Sequence, residues 1–242
     1  MLQTQLQRLL PTMRMLFDEL NDLGQPAELL REREGFQYRG IQVYSGQARP
    51  EPDLIYLVSK RWAGSFPVNT YAYISTIPLP GEQEHICCIR SDELTLLNIL
   101  LDIFCRYRDW ETQMNQLVYR GGSLNDLCCL GQKILGNPLC IHDDWFSVIA
   151  MTEDVPQLMA LDSSPLSPLG AIPRHLVEEF KIDSDYTQTY AQQRVRLWIS
   201  SPALNSARCL YVNLWEGEIY RGRLLCLESE NRLRSVHYLV TE

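Results

Sequence analysis

Between Ser91 and Gly121 the sequence places Leu96, Leu100, Ile103, Tyr107, Trp110, Met114 and Leu117 at alternating spacings of four and three. That spacing holds apolar side chains on one edge of an α-helix for three heptads, so the stretch is a long helix with a seam that must be covered. Ser91 offers an N-cap, Asp92 and Glu93 stand where the helix dipole favours acids, and Gly121-Gly122 stops the run. Over its first half Leu97, Leu101 and Phe104 add a second apolar stripe. The seven seam residues are therefore the expected dimer interface, paired with the same helix of a second copy. The competing reading lays the helix on its own domain. Asp102 and Arg106, four apart, predict a surface ion pair of a few tenths of a kcal/mol.

Upstream, Leu6, Leu9, Leu10, Met13, Leu16, Phe17 and Leu20 recur at helical spacing, with Pro11 as a kink or break and Gly24 as the stop. Four short runs rich in β-branched and aromatic residues follow: Phe36 to Tyr44, Leu54 to Ser59, Thr70 to Ser75 and His85 to Arg90. They predict strands, joined at turn-forming Ser45-Gly46, Ala63-Gly64 and Pro80-Gly81. A small N-terminal α/β domain over residues 1–91 follows, and then the linker helix over 92–122.

Downstream, Ser123 to Leu135 is again helical and Gly136-Asn137-Pro138 ends it. Pro138 to His142 and Phe146 to Met151 predict a hairpin turning at Asp143-Asp144. Thr152 to Thr189 holds Pro156, Pro165, Pro168 and Pro173, which preclude long elements apart from a short helix over Arg174 to Phe180. Arg194 to Ser200, Arg208 to Trp215 and Glu218 to Glu228 predict three more strands. A hairpin, a helical cover and a three-strand return is the order of a PAS-like or GAF-like sheet, here over residues 123–229, and residues 230–242 predict the start of a C-terminal helix. The whole is α+β.

Composition narrows the functions. Lys and Arg total 22 against 30 Asp and Glu, a net charge of −8, so these residues do not attract a phosphate backbone. No apolar run approaches the roughly 20 residues that span a bilayer, which predicts a cytoplasmic chain without membrane contact. Eight cysteines stand among apolar residues and predict reduced core positions.

Motifs for chemistry are sparse. Cys140-x-His142 lies on one strand with no second pair at metal spacing, so no metal site is expected. Asp143-Asp144 suits a turn better than a pair of acids facing each other across a substrate. The serines and the four histidines show no nucleophile motif, and Gly121-Gly122 and Gly217 lack phosphate-loop context, so no catalytic residue and no cofactor is nominated. For a small-molecule effector the best surface is the polar and aromatic face of the sheet, Trp198, Tyr211 and Asn213, with Arg174 and His175 in the cover. Those residues could instead pack the cover onto the sheet. The rival functions are a hydrolase or transferase with a site in 152–189, and an interaction scaffold without a cavity.

The stretch Ile134-Leu-Gly-Asn-Pro-Leu-Cys-Ile-His-Asp-Asp-Trp-Phe-Ser-Val-Ile-Ala-Met151 resembles the opening of the GAF-like sensor in PucR-type transcription regulators, the purine-catabolism and sugar-diacid group. Arg106-Tyr-Arg-Asp-Trp-Glu111 is similar to the linker helix before that sensor, and Gly222-Arg-Leu-Leu-Cys-Leu227 to its closing strand. The resemblance covers about residues 95–230 and implies a signal-binding region of a regulator whose DNA contacts are made by a helix-turn-helix domain. No basic recognition helix follows in this chain, so DNA contact is expected only through a domain not present here.

Overall fold

The computed structural model describes residues 10–33, 36–46, 50–89, 91–192, 194–199, 208–234 and 237. Two compact units divide the chain, residues 1–112 and 113–242.

Pro11 supplies no N–H and cannot continue a helix, so the first helix begins behind it. Helix α1 spans Met13–Asp22, and the Thr12 hydroxyl accepts from the Met15 N–H at 3.2 Å. Its stop is a Schellman turn at Gly24, φ 72°, with Gly24 N–H on Asn21 O and Gln25 N–H on Leu20 O. The helical pattern predicted for residues 1–9 lies outside the described residues.

The first sheet holds β1 (Glu28–Arg31), β2 (Gly40–Val43), β3 (Leu54–Val58), β4 (Tyr73–Ser75) and β5 (His85–Cys87) in the order β1-β5-β4-β3-β2. Neighbours from β2 to β5 run parallel and β1 is antiparallel to β5. Central strands of such a sheet are covered on both faces, and β3, β4 and β5 are buried almost throughout. Cys87 and Cys88 are buried for the same reason, although their side chains point opposite ways. One face gathers Tyr44, Tyr56, Phe66 and Tyr73 into an aromatic cluster with edge-on contacts. Strand β1 escapes sequence reading because Glu28-Leu-Leu-Arg31 does not alternate and is a largely exposed edge.

The long helix is α2, Glu93–Tyr119, 27 residues. Its seam is corrected by the structure. Leu96, Leu100, Ile103 and Tyr107 are buried within their own chain, and the Tyr107 hydroxyl donates to Glu19 of α1 at 2.7 Å. These four are closed to a partner, while Trp110, Met114 and Leu117 are half-buried. The second stripe is the open one, with Leu97 and Phe104 half-buried and Leu101 exposed at 41%, and Leu94, which sequence reading left out, extends it at 65% exposure. Arg106 pairs with Glu19 at 2.6 Å and not with Asp102, because Glu19 already sits beside the neighbouring Tyr107. The helix ends in a second Schellman turn, Gly121 N–H on Val118 O and Gly122 N–H on Leu117 O. A Cβ on Gly122 would lie 2.3 Å from the Leu117 side chain, so only glycine closes this corner.

Helix α3, Leu124–Leu135, opens with a capping box between Ser123 and Asp126 and closes on left-handed Gly136. The next residues explain the Gly-Asn-Pro motif. Asn137 is fully buried, and its Oδ1 accepts from the N–H and hydroxyl of Ser229, pinning the close of the sheet to its opening.

The second sheet is antiparallel throughout. Its strands are β6 (Leu139–Asp143), β7 (Val148–Met151), β8 (Arg196–Ile199), β9 (Arg208–Glu216) and β10 (Ile219–Leu227), in the order β7-β6-β10-β9-β8. Three short helices stand between β7 and β8: α4 (Val155–Leu158), α5 (Arg174–Ile182) and α6 (Ser184–Thr189). This is the PAS-like or GAF-like order expected, and the chain is α+β. One sheet face packs on α3 through Cys128, Leu135, Leu139, Ile141, Leu210 and Cys226. The other carries Cys140, Tyr211, Arg223 and Leu225 beneath the short helices.

Two of the eight cysteines depart from the core reading. Cys105 and Cys129 are exposed, the latter because it follows buried Cys128 by a helical step of about 100°. The C-terminal helix predicted over 230–242 lies largely outside the described residues. No helix among the described residues is long and apolar enough to cross a membrane.

Candidate functional site

A cavity of about 420 Å³ lies between the second sheet and its helical cover, within the range of ligand sites. Its walls are mainly apolar, among them Met159, Ile172, Leu176, Phe180, Leu225 and Leu227. The polar side chains in its lining come from β6, β8, β9 and β10, whose alternate residues face the cover, together with His175 of α5, Tyr186 of α6 and Glu228 just past β10.

Arg223 of β10 dominates the site. It is only 1% exposed. Its Nε donates to Asn213 Oδ1 at 2.8 Å and its Nη2 to Thr189 Oγ1 at 2.8 Å. The guanidinium lies over the rings of Tyr186, Tyr190 and Tyr211 at 5.0, 4.9 and 4.6 Å, a cage of three π faces. Among the described residues no carboxylate pairs with it, and Nη1 has no acceptor. A buried charge without its counter-charge is expensive to hold.

A β-bulge produces this placement. Tyr220 pairs with Trp215 and Gly222 with Leu214, so Arg221 is the extra residue, and the shift brings both Tyr220 and Arg223 to the cover side. A Cβ on Gly222 would lie 2.1 Å from the backbone oxygen of His142, so β6 and β10 approach here as only glycine permits.

His142 of β6 also lines the cavity and stacks on Phe146, centroids 5.2 Å apart. Burial holds its pKa down at about 4, with the Arg223 charge acting the same way, so the ring is neutral. Its Nδ1 sits 2.7 Å from the Asp143 backbone oxygen and carries the ring proton, which leaves Nε2 as an acceptor. Phe146 has φ 63°, a strained value for a bulky residue, in a turn where Asp143 Oδ1 accepts from Trp145 and Ser147 N–H. The expected turn at Asp143-Asp144 thus also sets a ring against His142.

Trp198 of β8 is half-buried, yet its indole N–H is buried without a partner. Phe180 and Tyr186, stacked at 4.3 Å, meet the Trp198 ring edge-on.

Of the five ligand-binding residues nominated from sequence, Trp198, Tyr211 and His175 line the cavity. Asn213 is buried but is spent on the frame: Nδ2 donates to the backbone oxygens of Thr189 and Gln192, and Oδ1 receives Arg223. Arg174 is corrected. Its side chain is 88% exposed and paired with Glu178 one turn on, because the first residue of α5 faces away from the cavity. The buried cation of the lining is Arg223. The clue in sequence was a charged residue at an inward position of Arg223-Leu-Leu-Cys-Leu227, but the bulge at Arg221 hides the alternation that would have exposed it. Among the described residues no three His, Cys, Asp or Glu side chains gather as metal ligands.

No family model matches the sequence. No curated protein matches it either. Among solved structures, the cofactor-binding GAF domain of the nutrient sensor CodY from Clostridium difficile is similar to 54% of this chain over 90% of its own length, at 12% identity and a TM-score of 0.36.

Proposed function

We propose that the second unit is the small-molecule-sensing part of a transcription regulator of the PucR-like kind, and that it binds its effector without transforming it. The observation that carries this is the cavity under α4 to α6, with a buried and unneutralised Arg223 in its wall. A binding role is supported by the state of the groups that could do chemistry. His142 is neutral with one nitrogen tied to the backbone, and burial pushes the Cys140 and Cys209 thiols up to about 12, far from the thiolate a nucleophile needs. Eight free cysteines support a reducing cytoplasmic setting.

The same reading pairs two copies through α2. Leu94, Leu97, Leu101 and Phe104 form the stripe that supports this, in place of the buried seam. Effector occupancy would bias the packing of the paired helices, and DNA contact would be made by a helix-turn-helix domain that this packing controls.

Native mass spectrometry of the gently purified chain tests the sensing role. The expected result is an adduct of small-molecule mass that is lost on denaturation. Chain masses without adduct, together with a cavity that takes up no added compound, would overturn it.

A further inference from the structure

We infer that the cavity recognises a hydrophobic monocarboxylate, its carboxylate held by Arg223 and its body laid along Ile172, Leu176, Phe180 and Leu225. This rests on the sensing role proposed above and gives the ligand its chemistry.

Charge accounting sets the valence. The charged side chains lining the cavity are Arg208, Arg223 and Glu228. Arg208 and Glu228 are partly exposed and face each other at 3.7 Å, so that pair is balanced. His142 is neutral. One positive charge remains, on Arg223, and a single negative charge matches it. A phosphate, with nearly two charges at neutral pH, would bring one more than the site can neutralise.

Donor geometry selects the group. The Arg223 fork keeps Nη1 unengaged, while Asn213 and Thr189 fix the other edge and three tyrosines hold the guanidinium between their faces. A planar fork so fixed suits a planar carboxylate. The remaining walls are mainly apolar, and the one other arginine among the lining residues, Arg208, is already paired with Glu228.

Titration calorimetry with octanoate and phenylacetate, against octanamide, phenylacetamide and inorganic phosphate, tests this on the full chain. The carboxylates are expected to bind at least about tenfold more tightly than their amides, and phosphate not at all. Arg223→Met should erase that preference, and Arg223→Lys should keep it at reduced affinity. If Arg223→Met does not fold, the carboxylate-to-amide ratio on the unmutated chain decides alone. Amides that bind as well as carboxylates, or phosphate that binds better, would overturn the inference and leave the sensing role standing. Failure of all five probes would also overturn it, and the native mass spectrum then separates the two claims: an adduct keeps the sensing role, its absence removes both.

Discussion

Arg223 and Asn213 stand directly opposite each other on β10 and β9, and the guanidinium Nε donates to the amide oxygen at 2.8 Å. The same amide holds the chain after α6 through its nitrogen, so one side chain ties together the sheet, the cover and the cation. Asn213→Ala should cost about 2–4 kcal/mol, since it removes one of the two side-chain acceptors of a buried charge and the amide donor to two backbone oxygens. Urea unfolding followed by tryptophan fluorescence measures this. Hydrogen exchange should quicken at residues 186–192 in the variant.

Gly222→Ala forces a methyl group against the His142 backbone oxygen at a distance no Cβ tolerates. The β6–β10 ladder must part or the bulge must move, at about 2–4 kcal/mol. Thermal melting should show a lower midpoint. A variant as stable as the parent would show that the close approach of the two strands is absent in solution.

His142 gives the second unit a pH dependence of definite sign. Its folded pKa of about 4 lies below the ordinary 6.5, so the unfolded chain takes up a proton first as pH falls. Its contribution is complete above pH 6.5 and is lost on acidification toward pH 4. The loss amounts to roughly 3 kcal/mol at most. Comparing stability at pH 7 and pH 4.5 for the parent and His142→Gln isolates it, because other groups titrate in both. The variant should show the shallower fall.

The two faces of α2 should answer substitution differently. Ile103→Ala opens a cavity in a buried face and should cost about 2–4 kcal/mol without changing the mass in solution. Leu101→Glu replaces an exposed apolar residue and should leave the fold as stable while converting a dimer to a monomer in light scattering. A dimer unaffected by Leu101→Glu would place the pairing surface elsewhere.

Much of the architecture was legible because local rules and tertiary structure agree. Glycine stops at Gly24, Gly121 and Gly136, the helix over Ser123 to Leu135 and the alternation along β9 all lie where sequence reading puts them. The heptad seam was legible as an apolar edge but not as an inward one, since periodicity reports that a face needs cover and never which surface supplies it. Leu96 and Leu97 differ by one helical step and by their fate. In the site, Trp198, Tyr211 and His175 could be found from an aromatic and polar strand face and its cover. Arg223 could not, because a single bulged residue inverts the register that carries it. Tyr186 was hidden differently: Ser184–Thr189 is too short and too polar to announce a helix, and its burial comes from tertiary packing on Phe180, Trp198, Tyr190 and Arg223.

The central claim is that the space beneath α4 to α6 holds a small apolar carboxylate, and the indole N–H of Trp198 reports on it directly. In a ¹⁵N-labelled sample its resonance, assigned by its loss in Trp198→Phe, should move saturably as phenylacetate or octanoate is added, while the exposed Trp145 indole stays fixed. An unmoved Trp198 resonance at saturating concentrations of both, with the fold intact, would contradict it.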